Sequence, residues 1–143
     1  MQDLEKSFGY QLRLLHLEAD RRARQALDAF GMTPARVTAL LVIAAHTGCT
    51  QTALGEALSI NRASAMKMVN ALETLGLVSR EPAADPRAHA LTLTAAGGKA
   101  LDAMLDALRK ADEEMLAPLS PEVRQDLLAT IRLLAVQAGR AAG

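Results

Sequence analysis

The sequence predicts a mainly α-helical fold interrupted once by a two-stranded β arm. Half of the residues are hydrophobic, yet only 2% are aromatic and Trp is absent. A core of Leu, Val, Ile, Ala and Met favours helices. Apolar residues recur at spacings of three and four through most of the chain, the period of an amphipathic helix. Only the stretch around Ala90-Leu91-Thr92-Leu93-Thr94 alternates in the β manner. A length of 143 residues suits one domain of ordinary size.

The elements follow in order. Residues 5–29 read as one long helix, with Phe8, Leu12, Leu15, Ala19, Ala23, Ala26 and Phe30 on its apolar stripe and Gly31 as its stop. Thr33-Pro34 restarts the chain, Thr as N-cap and Pro at the first helical position. The run Val37 to Ala45 is nearly all apolar, so this second helix is expected to be buried on several sides. Thr50 caps a short helix, Gln51 to Leu58, with Ala53, Leu54, Ala57 and Leu58 inward. Ser59-Ile60-Asn61 is a turn, and Asn61 caps the next helix, Arg62 to Leu75, with Ala65, Met68, Val69, Leu72 and Leu75 inward and Gly76 at its end. Leu77 to Glu81 and Ala90 to Thr94 are the two strands, separated by Pro82 and Asp85-Pro86. Thr94 caps a long helix reaching about Met115. Ser120-Pro121-Glu122 starts a last helix with Val123, Leu127, Leu128, Ile131, Leu134 and Ala138 on its apolar side.

Residues 50–94 read as a DNA-reading device. The helix 51–58 braces the next one, so that the outer face of 62–75 can enter a major groove. Asn61, Arg62, Ala63, Ser64, Met66, Lys67 and Asn70 lie on or beside that face. Arg and Lys can donate to guanine, Asn can pair with adenine, and Ala or Met can touch a thymine methyl. Arg62 and Lys67 can equally sit on phosphates, which fixes register without reading sequence. Met66 fits either the core or the groove. Glu73 reads as a structural partner of a basic side chain. Arg80 adds a cation to the first strand, and the arm's tip offers Asp85, Arg87 and His89. An Arg there can enter a minor groove of strong negative potential. The Asp85-x-Arg87 spacing allows the carboxylate to hold the guanidinium in one pose.

The formal net charge is zero, from 16 basic and 16 acidic residues, which argues against a generic polyanion-coating protein. Its distribution is uneven. Arg62, Lys67 and Arg80 face one acid, Glu73, between Asn61 and Arg80, whereas Asp102, Asp106, Asp112, Glu113 and Glu114 outnumber Arg109 and Lys110 further on. Cys49 is the one cysteine, so no internal disulfide forms. This fits a reducing compartment, and the chain is expected to be cytoplasmic. Cys49 is either a free thiol or a redox switch, the former better supported. No signal peptide and no run of about 20 apolar residues for a membrane span is evident. His16, His46 and His89 have no second metal ligand at helical spacing, and no phosphate loop, nucleophile elbow or metal motif stands out. No catalytic residue, metal or cofactor is therefore expected.

Together these pieces resemble the MarR family of bacterial winged helix-turn-helix regulators. Met32-Thr33-Pro34, Thr50-Gln51 with Leu54, Leu72-Glu73-x-x-Gly76-Leu77-Val78-x-Arg80, Asp85-Pro86-Arg87 and Leu93-Thr94-x-x-Gly97 carry the resemblance over essentially the whole chain. It departs at Pro86, where the family usually has Arg, so each wing has one fewer positive charge. The resemblance implies a single domain over 1–143, with a winged helix-turn-helix lobe at 33–97 and dimerisation helices at 1–30 and 98–143. It implies a homodimeric repressor on a pseudo-palindromic double-stranded DNA operator, released by a small-molecule effector. Arg13, His16 and His46 are the polar candidates near the family's effector region. The apolar stripes of the first and last helices, with Leu101, Met104, Leu105 and Leu108, suit the dimer interface. The alternative is a helical protein-interaction module on the same fold that has lost specific DNA binding.

Overall fold

The computed structural model describes residues 2–85 and 87–141. Its helices are α1 (Gln2–Glu5), α2 (Phe8–Leu27), α3 (Pro34–Ala45), α4 (Gln51–Ala57), α5 (Arg62–Thr74), α6 (Ala95–Met115) and α7 (Pro121–Ala141). Its strands are β1 (Cys49–Thr50), β2 (Val78–Pro82) and β3 (His89–Leu93). The fold is mainly α with a small antiparallel wing, as expected from the sequence.

Side-chain caps set the helix starts. Thr33, Thr50, Asn61 and Thr94 each adopt an extended conformation and accept a hydrogen bond from the backbone N–H three residues on, satisfying a donor the helix leaves open. Ser7 does the same for α2. That cap divides the single helix expected over 5–29: Gln2–Glu5 is a separate turn, and a 3-10 turn at Asp28–Phe30 follows α2.

Three helix ends share one geometry. At Gly31, Ser59 and Gly76 the backbone is left-handed, with φ of 63°, 55° and 73°. In each case the next N–H reaches back five residues, as Leu77 N–H does to Leu72 O and Ile60 N–H does to Gly55 O. This closes the helix's orphan carbonyls. Glycine adopts this conformation at little cost; Ser59, in the helix-turn-helix turn, does not.

The sheet has three strands in the order β1-β3-β2, not two. Cys49 and Thr50 pair with Leu91 and Ala90 on the free edge of β3. Two residues are too few to alternate visibly, so only the fold reveals them. β2 and β3 pair from Val78↔Leu93 to Pro82↔His89, one residue offset from the expected spans. The offset has local causes: Leu77 N–H is used in ending α5, and Thr94 is the cap of α6. Pro82 is tolerated because β2 is an edge strand.

The core gathers Leu27, Val37, Leu40, Ile43, Leu54, Val69, Leu72, Val78, Leu91, Leu101 and Met104. Several inward assignments change. Ala53, Ala57 and Leu75 are exposed, because α4 and α5 each bury a narrower stripe than their composition suggests. α3 buries Val37, Ala39, Leu40 and Ile43 but leaves Leu41 exposed. Leu101 and Met104, expected at a dimer interface, instead close this chain's own core.

The two ends behave differently. On α2, Phe8, Leu12, Leu15 and Leu17 are exposed, and only Leu27 is buried. On α7, no residue with a described side chain is buried, and Val123, Leu128, Ile131, Leu133, Leu134 and Val136 all face outward. Among the described residues no single helix is long and apolar enough to cross a membrane.

Candidate nucleic-acid interface

The helix-turn-helix is held by close backbone approach. Gly55 of α4 is buried where a Cβ would stand 3.3 Å from Ala65 Cβ and 3.4 Å from Ile60 O. With Ala65, Val69 and Leu72 turned inward, the other side of α5 faces solvent. Arg62, Ala63, Ser64, Met66, Lys67 and Asn70 are all exposed there, as expected, and Met66 is half exposed, unlike Met68, which packs on the core.

Not every expected contact is free. Asn61 Oδ1 accepts from Ser64 N–H at 2.8 Å, so its oxygen is spent on the cap. Arg80 turns into the lobe. Its Nη1 donates to Glu73 Oε1 at 2.9 Å, and its Nη2 donates to Asn70 Oδ1 at 2.7 Å and Gln51 Oε1 at 3.2 Å. Only a fifth of the Arg80 side chain is exposed. Arg80, expected at the DNA surface, is thereby a clamp joining β2, α5 and α4. Its strand position points it across the sheet at Gln51, 29 residues away, a meeting that local spacing does not disclose. Glu73 takes the structural role its sequence context suggested. Gln51 belongs to this surface as well, and only its place at the first turn of α4 could have signalled it.

The wing tip is built by a local turn. Asp85 Oδ1 accepts from the Arg87 backbone N–H at 2.9 Å. An Asx turn of this kind shapes the chain. It replaces the expected contact between the carboxylate and the guanidinium: among the described residues Arg87 is in no ion pair. Pro86, the departure noted above, lies outside the described residues. Arg87 and His89 share a cleft of about 130 Å³ with Thr50, Gln51, Thr52 and Arg80, so the tip and the start of α4 face the same side. Across the strands, the Ser79 and Thr92 hydroxyls meet at 2.8 Å.

The proposed effector residues do not converge within one chain. Arg13 and His16 are exposed on the outer half of α2, and His46 is exposed at the far end of α3. α2 and α3 diverge at a 75° bend, which places His16 and His46 on the order of 30 Å apart by helical rise. A groove of about 340 Å³ lies elsewhere, between α2 and α6, lined by Arg21, Arg22, Gln25, Lys110 and Glu114. Cys49 is partly buried on β1, and burial pushes its thiol pKa up, away from the reactive thiolate. Among the described residues no three His, Cys, Asp or Glu side chains group as a metal site.

This geometry has known relatives. The MarR family model matches residues 30–88. A candidate transcriptional regulatory protein for the hcr operon of Thauera aromatica is 34% identical over 128 residues, covering 88% of this chain and 77% of that protein. The transcriptional regulator HosA of Escherichia coli is 34% identical over 124 residues, covering 86% of this chain and 90% of its own. The transcriptional repressor CouR, solved on a 23-mer DNA duplex, superposes with a TM-score of 0.82 at 27% identity, over 93% of this chain and 95% of CouR. The crystal structure of MarR shares the fold at a TM-score of 0.84 and 20% identity, over 96% and 94% of the two chains. The chain belongs to the MarR family of non-enzymatic, DNA-binding transcriptional regulators.

Proposed function

We propose that this regulator acts in the cytoplasm as a ligand-responsive homodimeric repressor on a pseudo-palindromic operator. One observation carries the reading: α5 buries Ala65, Val69 and Leu72 and leaves Arg62, Ser64, Met66, Lys67 and Asn70 exposed on its other side, Asn70 with its oxygen on Arg80. That face fits a major groove, and Arg87 fits the flanking minor groove. In this reading the lobe spans 33–97, with Arg62 and Lys67 on base edges or phosphates and Asn61 and Ser64 at the helix start. Asp85 and His89 shape the wing, and Arg80 acts through Asn70 and Gln51.

The segments 1–30 and 98–143 supply the dimer interface. Exposed Phe8, Leu12, Leu15 and Leu17 on α2 and Ile131, Leu134 and Val136 on α7 support this, because a face of that extent is unfavourable in water. An obligate interface buries on the order of 2,000 Å² or more. An effector would enter beside the interface helices, where the α2–α6 groove is lined by Arg21, Arg22 and Lys110, paired with Glu18 and Asp106, and by Glu114. Gel shift of DNA upstream of its own gene, with sedimentation at micromolar concentration, tests the reading. A retarded band and twice the chain mass are expected. A monomer, or equal affinity for operator and random DNA, would refute it.

A further inference from the structure

Each kind of base offers a different edge to the major groove. Guanine shows two acceptors; thymine shows one acceptor and a methyl; cytosine shows an amino donor; adenine shows an acceptor beside an amino donor. Asn makes its bidentate pair with adenine by presenting both its amide oxygen and its NH2 to the base. A guanidinium has five N–H donors and no acceptor, so its partner on Asn70 is the oxygen. That oxygen lies 2.7 Å from Arg80 Nη2 and is turned into the lobe. Arg80 engages one of that oxygen's two lone pairs and fixes the direction of the amide, and exposed Asn70 keeps its NH2 to offer.

Arg80 and the helix cap engage other oxygens around the face as well. Glu73, the one acid in α5, gives Oε1 to Arg80 at 2.9 Å, and Gln51 gives Oε1 at 3.2 Å. Asn61 Oδ1 is held by Ser64 N–H. Arg62 and Lys67 are donors by nature. In the first two turns of α5, the Ser64 hydroxyl is the one side-chain group still able to accept.

We propose that Arg80 is a specificity-determining positioning residue: by engaging one oxygen on each of Asn70, Glu73 and Gln51 it draws acceptors toward itself and leaves donors in excess on the reading face, so that Asn70 selects guanine or thymine over adenine. This rests on the reading of α5 as the major-groove element. Selection of bound sequences from random duplexes by the full chain tests it, in parallel for the parent, Asn70→Ala and Arg80→Met, each checked for folding by circular dichroism. The parent is expected to prefer guanine or thymine at one position per half-site by about tenfold, a preference Asn70→Ala removes while the others persist. Arg80→Met, which frees the Asn70 oxygen, is expected to shift that position toward adenine; a loss of affinity alone would mark a merely structural role. Adenine at the Asn70-dependent position in the parent, no position changed by Asn70→Ala, or a folded Arg80→Met with the parent's preference would each overturn the proposal. Should Arg80→Met fail to fold, the Asn70→Ala comparison decides alone. Enrichment of no sequence by the parent would instead refute the DNA-reading function beneath it.

Discussion

Two adjacent glycines in the first turn of α6 should respond to the same substitution with opposite signs. A Cβ on buried Gly97 would collide with the Leu77 carbonyl oxygen and come within 2.8 Å of its carbonyl carbon. That carbonyl already accepts from Thr94 N–H at 3.0 Å, and the Thr94 hydroxyl donates to Gly76 O at 2.6 Å while capping Gly97 N–H. Backbone on both sides of the clash leaves no flexible side chain to give way. Forcing the helix off the strand entrance costs about 1–3 kcal/mol as overpacking. Loss of the Thr94–Leu77 bond adds about 1 kcal/mol. The better helix propensity of Ala returns about 1 kcal/mol. Gly97→Ala should therefore destabilise by about 1–3 kcal/mol net. Gly98 has nothing within 4 Å of its Cβ position, so Gly98→Ala should stabilise by about 0.5–1 kcal/mol. For a domain of this size each kcal/mol moves the melting temperature by about 3–4 °C. Thermal unfolding followed by far-ultraviolet circular dichroism reads both variants. One protein concentration must be used, since assembly makes the midpoint concentration-dependent. Shifts of the same sign, or a Gly97→Ala protein as stable as its parent, would refute the close-approach argument.

Other outcomes are expected at the tip, the turn, the thiol and α2. Asp85→Asn keeps the turn acceptor and removes a charge beside DNA, so gel shift should show binding at least as tight as the parent; Asp85→Ala, which loses the acceptor, should bind more weakly. Ser59→Gly relieves a left-handed serine and should raise stability by about 0.5–1 kcal/mol in denaturant titration. Cys49, with its pKa raised by burial, should react with iodoacetamide more slowly in the folded protein than in denaturant at the same pH. Hydrogen bonds from Arg21 and Arg22 hold the Glu18 carboxyl down at about 2, from an ordinary 4.5. Its contribution is full above the ordinary value and is lost as pH falls toward 2, so Glu18→Gln should be less stable than the parent at neutral pH and converge with it in strong acid.

Much of this was legible because caps and apolar periods are local. Thr33, Thr50, Asn61 and Thr94 mark their helices in sequence and in structure alike. The outward face of α5 was legible for the same reason, since its buried positions recur with helical period. What failed to show was non-local. β1 exists because Cys49 and Thr50 find the open edge of β3, pairing with Leu91 and Ala90 far along the chain. Arg80 looked like a surface cation because its three acceptors lie 7, 10 and 29 residues away, on two other elements. Asp85 and Arg87 are close in sequence, yet there the backbone N–H took the oxygen expected to go to the guanidinium.

The Arg80 clamp and the β1–β3 pairing stitch α4, α5 and the wing into one piece. Elements tied in this way share a displacement applied to any one of them. α6, fixed to the wing at Thr94 and Leu77, is its handle. Its 21 residues make a rod of about 31 Å, so a tilt of about 5° at one end carries the other by about 3 Å. That is enough to lift donors out of hydrogen-bond reach of a groove. A displacement of that size applied far from the reading face would alter no atom of that face, only the angle at which it is held.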